Sequence, residues 1–163
     1  MLIVLSQDQR VIEWCRSRES HADAWGELVI INAASSPVAT VQLRHALRRV
    51  RPDEPLCLTG HGDDTVIGDV GNDGIIIWWW TVEDIAAMFA TELPRNYAGP
   101  ILIRACAKTV TNFSTRTAVR LGELQALSGV WIYGYSRAVS IWAPFIEPRG
   151  LDHNVEVHGT RVP

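Results

Sequence analysis

Two side chains able to do covalent chemistry each stand at the end of an apolar run. His61 follows Leu56-Cys57-Leu58-Thr59-Gly60, and Cys106 follows Ile101-Leu102-Ile103-Arg104-Ala105. A thiol is a weak nucleophile until it loses its proton. An imidazole beside it raises the thiolate fraction or takes the proton during attack. Gly62, next to His61, lacks a side chain, so its amide can approach a substrate carbonyl and donate to a developing oxyanion, with the Cys106 amide as a second donor. The alternative for Cys106 is a small buried hydrophobe at a strand end, and for His61 a hydrogen-bonded turn residue. Cys57 inside a strand and Cys15 on a helix face read as core.

Those two positions share a sheet edge only if short apolar runs alternate with amphipathic stretches, and they do. Residues 2–5, 28–31, 56–59 and 101–105 read as strands, and 8–18, 40–50 and 114–127 as helices, with Thr40 as one N-cap and Gly129 as a C-cap. Residues 65–67 and 75–80 form a hairpin across Gly71, Asn72, Asp73 and Gly74. Thr81 with Asp84 opens a further helix that Pro94 ends. Residues 130–133 and 138–142 give one or two strands, and an edge strand is expected near 154–157. The fold class is α/β, a single three-layer α/β/α sandwich around a mainly parallel sheet. In such sheets ligands gather at the carboxyl ends of strands, where both motifs lie.

The two motifs resemble those of the caspase-like cysteine peptidases, a group that includes caspases, legumain, clostripain and the self-cleaving domains of bacterial toxins. Its pattern is an apolar strand ending in His-Gly, then a hairpin and a helix, then a second apolar strand ending in a small residue and Cys. The bacterial members are the closer likeness, through residues 113–114, 129–135 and 139–140. The resemblance covers roughly residues 2–142 and implies a caspase-like fold and a thioester mechanism with a peptide or protein substrate. It also implies that Ser136 and Arg137 line the pocket for the residue before the scissile bond, where Arg137 could pair with an acidic side chain or simply be a surface arginine. The chain departs from the family in being short and in carrying Ala107, Lys108 and Thr109 where many members have glycine. A catalytically inactive caspase-like domain that binds a partner is the competing reading. A flavodoxin-like domain is a third, disfavoured by Ser6-Gln7-Asp8-Gln9 where a Gly-rich phosphate loop would stand.

Asp63 and Asp64 could orient His61, attract a basic substrate side chain, or open the hairpin as turn residues. In the run Trp78–Trp80, strand alternation sends Trp79 to one face and its neighbours to the other, leaving an indole for a protein partner. His153 and His158, five apart, would face opposite sides of a strand, so no metal site is expected, and the thiol chemistry requires no cofactor.

With 163 residues, 47% of them apolar, the chain can bury one substantial core. Its net charge of −3 and the confinement of dense basic residues to Arg44, Arg48, Arg49 and Arg51 argue against nucleic-acid binding. Three cysteines cannot all pair, no leader pattern opens the sequence, and the longest apolar run is far short of the ~20 residues that cross a bilayer. The expectation is a cytoplasmic protein with reduced thiols and no membrane association, with export lacking a cleavable signal left open.

Overall fold

The computed structural model describes residues 1–70, 76–140 and 142–163. Among them an eight-stranded mixed sheet, mostly parallel, runs through the molecule. Strands β1 (Leu2–Leu5), β2 (Leu28–Ile30), β3 (Leu56–Gly62), β6 (Ile101–Arg104) and β7 (Trp131–Tyr135) lie parallel in the order β2-β1-β3-β6-β7. β8 (Val157–Arg161) closes that edge antiparallel to β7, and β4 (Val66–Val70) pairs antiparallel with both β3 and β5 (Ile76–Thr81).

The parallel strands are near-continuous apolar runs because both of their faces are covered. Alternation divides their side chains between two cores. Ile3, Leu5, Leu56, Leu58, Ile101, Ile103 and Ile132 pack with the helices α2 (Ser36–Leu47), α3 (Val82–Glu92) and α4 (Phe113–Glu123). Leu2, Val4, Cys57, Leu102 and Tyr133 point the other way, onto α1 (Gln9–Arg16) and the 3-10 turn Ala22–Trp25. Helices on both faces of a mixed sheet are the α/β class expected, and the arrangement is compatible with a three-layer sandwich.

Several elements differ from the sequence reading, each for a local reason. α2 begins four residues before Thr40, because Pro37 sits in the first helical turn, where its fixed φ and missing N–H cost nothing. Thr40 is inside the helix, donating to the Ser36 carbonyl at 2.9 Å and accepting from Trp80 Nε1 at 3.0 Å. α4 ends at Glu123 rather than 127. Gly122, a poor helix former, lies against Pro163, and the chain then unwinds through Gln125 and Leu127 at φ 52° and 55°. The last strand comes three residues later than expected. Residues 138–140 form no strand, because that segment wraps a buried side chain described below. The Thr81–Asp84 capping box is present, with Asp84 N to Thr81 Oγ1 at 3.2 Å and Thr81 N to Asp84 Oδ2 at 2.9 Å. The expected turn at Gly71, Asn72, Asp73 and Gly74 lies outside the described residues.

Candidate active site

β3 is longer than its apolar run because it changes partners along its length. Residues 56–60 are held between β1 and β6, while His61 and Gly62 pair with Gly68 and Ile67 of β4. The β3–β6 ladder runs from Leu56↔Ile101 to Thr59↔Arg104, both strands pointing the same way. His61 and Cys106 each stand two residues beyond that last pair, on the same edge of the sheet. They line one hollow of about 30 Å³ together with Ser6, Arg104 and Val139, and both are partly exposed.

The Cys106 thiol donates to the Val139 carbonyl at 3.6 Å, a weak bond that leaves the sulfur at the hollow's wall. The other two thiols are different in kind. Cys15 is 5% exposed, and burial pushes its pKa up to about 11; Cys57 is wholly buried and pushed higher still by the same cause. All three cysteines are free.

Gly62 is constrained by packing. A Cβ there would lie 2.4 Å from the Val66 carbonyl oxygen and 3.2 Å from Ala105 Cβ. Asp63 N donates to Val66 O at 3.0 Å, so the 63:66 pair is hydrogen-bonded. Ladder alternation then makes 62:67 a non-bonded pair, which turns the Gly62 amide away from β4.

Asp63 is a turn residue. Its Oδ1 accepts from Thr65 N at 2.8 Å, Thr65 Oγ1 at 2.7 Å and Val66 N at 3.2 Å, and the Thr65 hydroxyl above all holds its carboxyl below the usual range. Ser136 is half-buried just past β7, and Arg137 is exposed and ion-paired with Glu156. The Arg137 carbonyl accepts from Ala107 N at 3.3 Å, which ties the end of β7 to the loop after Cys106. His153 and His158 are both exposed.

Arg104 organises the wall that the sequence suggested as a strand. It is 4% exposed, donates through Nη2 to the carbonyls of Ser140 at 2.8 Å and Ala143 at 2.7 Å, and lies 4.5 Å over the Phe145 ring. Nη1 reaches Thr59 Oγ1 at 3.3 Å. A buried guanidinium with several donors in a plane needs acceptors around it, and the carbonyls of Ser140 and Ala143, neither of them in a strand, supply two.

Two carboxylates near the site, Asp8 and Asp69, escaped sequence reading, and a third, Asp64, has a partner the sequence did not suggest. Asp8 caps α1, bonded to Arg10, which chiefly lowers its pKa; the charge of His61 acts on it in the same sense. Asp69, 1% exposed within β4, accepts from Gln7 N at 3.1 Å and Gln7 Nε2 at 3.2 Å, fixing the hairpin to the end of β1. Its signal was an acid in an otherwise apolar strand. Asp64 reaches across to the Cys106 loop, accepting from Lys108 N at 2.9 Å and Thr109 Oγ1 at 3.1 Å.

Trp78 and Trp80 are buried and Trp79 is 47% exposed. The exposed indole borders a groove of about 680 Å³ between the hairpin and α4, lined also by Thr65, Val82, Thr111 and Val119. Among the described residues no three His, Cys, Asp or Glu side chains are grouped to hold a metal, and no helix is long and apolar enough to cross a membrane. No family model matches the chain, and no curated protein matches it.

Proposed function

We propose that the protein is a cysteine endopeptidase of caspase-like architecture. The observation that carries this reading is that His61 and Cys106 leave parallel neighbouring strands at the same level and face one hollow. The order strand, His-Gly, hairpin, capped helix, strand, Ala-Cys along the chain supports the family resemblance.

In this mechanism the Cys106 sulfur attacks the scissile carbonyl carbon while His61 takes the thiol proton. The carbonyl π electrons move onto oxygen, where the Gly62 and Cys106 amides stabilise the charge. Collapse expels the amine, which receives the proton from His61, and leaves a thioester. Water, deprotonated by His61, then releases the acid and restores the thiol. Asp63, Ser136 and Arg137 are the substrate-side candidates. An acidic side chain before the scissile bond would have to displace Glu156 from Arg137, a partner exchange in solvent that costs little. The mechanism uses no metal or cofactor, and the free thiols suit a reducing cytoplasm.

Profiling against a peptide library tests the reading. Cleavage that disappears in Cys106→Ala is expected; no cleavage of any peptide, or cleavage that survives the substitution, overturns it.

One observation favours the second reading, a caspase-like domain that binds a protein partner without catalysis. The groove beside Trp79 is far larger than the hollow between His61 and Cys106. Partner binding lost in Trp79→Ala and kept in Cys106→Ala, in a protein that cleaves nothing, would select it.

A further inference from the structure

We propose that Asp64 is a positioning residue that clasps the loop carrying Cys106 to the turn after β3, the strand whose end carries His61. The proposal rests on the reading of those two side chains as nucleophile and base.

The need for a clasp follows from where the sheet stops. Backbone pairing between β3 and β6 ends at Thr59↔Arg104, and His61 and Gly62 then turn to pair with β4. The two reacting side chains therefore lie past the last β3–β6 pair, where no backbone ladder spaces one of their chain segments from the other. On the β7 side the Cys106 loop is fastened by Ala107 N to the Arg137 carbonyl at 3.3 Å, and by Asn112 Nδ2 to the Tyr135 carbonyl at 2.6 Å. Asp64 supplies the tie on the His61 side. Its two oxygens divide between the Lys108 amide at 2.9 Å and the Thr109 hydroxyl at 3.1 Å.

The neighbouring acid shows that this is a different job from turn formation. Asp63 spends its hydrogen bonds inside its own turn, on Thr65 and Val66, while Asp64 spends both of its on another loop. A carboxylate suits that task, since it offers two acceptors at a fixed spacing and charge-assisted bonds to both donors. Spacing between a nucleophile and its base is what such a tie controls, and a displacement near 1 Å can cost about 100-fold in rate.

The test compares Asp64→Ala, Asp64→Asn and Thr109→Val with the unaltered protein, each also combined with His61→Ala. Three quantities are read: the thermal midpoint, the pH profile of Cys106 alkylation by iodoacetamide from pH 6 to 9, and kcat and KM on the best library peptide. Asp64→Ala should lower the His61-dependent part of alkylation about tenfold, and kcat by a similar factor with KM within twofold. Asp64→Asn, whose carboxamide can still meet both partners, should retain most of the rate, and Thr109→Val should lose about threefold. In the His61→Ala background Asp64→Ala should change nothing further. An unchanged alkylation profile in Asp64→Ala, a lower thermal midpoint with unchanged rates, or an equal loss in the His61→Ala background overturns the clasp alone. If Asp64→Ala does not fold, Asp64→Asn and Thr109→Val decide by the same criteria. Absence of any His61 dependence in the unaltered protein refutes the dyad and the clasp with it.

Discussion

Brief alkylation of the native protein with iodoacetamide at pH 8 should modify Cys106 at least 100-fold faster than Cys15 or Cys57. The thiolate is the reacting form, so the pKa sets the scale. With Cys15 pushed up to about 11, only about one molecule in a thousand carries its thiolate at pH 8. At the ordinary thiol value of 9.0 from which burial raises it, Cys15 would carry about one in ten. Burial alone therefore slows Cys15 roughly 100-fold, before steric protection is counted, and Cys15 is 5% exposed. Cys57, with no exposed surface and a thiol raised further by burial, should be the slowest. The assay is peptide mass spectrometry of time points, with urea-unfolded protein as the control in which all three react at similar rates. His61→Ala should slow Cys106 and leave the other two unchanged. Equal labelling of the three native cysteines, or a Cys106 as protected as Cys57, would refute the reasoning about exposure at the strand end; indifference to His61→Ala would refute the pairing.

The hairpin gives a contrast between adjacent tryptophans. Trp78, fully buried with Nε1 donating to the Ala33 carbonyl at 3.0 Å, should cost about 3–5 kcal/mol on substitution by Ala, whereas Trp79→Ala should stay within about 1 kcal/mol, both read from urea unfolding midpoints. Equal losses would mean that the faces of β5 are assigned wrongly. Asp63 gives a pH dependence: its folded pKa is depressed, so its contribution is present above the unfolded value near ~3.9 and vanishes as pH falls through the folded value. Asp63→Asn should therefore be less stable than the unaltered protein at pH 7, by no more than about 1 kcal/mol at so exposed a turn, and the gap should close below pH 4. A gap of constant size down to pH 2.5 would contradict the charge-based account.

The buried strands and the capping box were legible in the sequence because each is written locally, as an apolar run or as Thr81 with Asp84. His61 and Cys106 were legible as strand-end residues for the same reason. Wherever the deciding partner is distant in sequence, local pattern misled. Residues 138–142 look strand-like by composition, yet the Arg104 guanidinium, more than 30 residues earlier, takes the Ser140 and Ala143 carbonyls. Asp64 looked like a turn residue equal to Asp63, and only the approach of Lys108 and Thr109 separates the two. The extension of β3 to Gly62 depends on β4, whose pairing no run of apolar residues announces. The start of α2 reads as Thr40 rather than Ser36 in the sequence for a simpler reason, since the fixed φ of Pro37 serves a turn and a helix start equally well.

Because β3 changes partners at His61, the molecule has a natural seam for engineering. Exposed positions such as Trp79 can be exchanged without touching the parallel pairings of residues 56–60, provided that the buried Ile67, Asp69, Trp78 and Trp80 survive and that Gly68 stays glycine. A side chain there would drive its Cβ to 2.2 Å from the Trp78 carbonyl oxygen and pry open the very ribbon on which the imidazole rests.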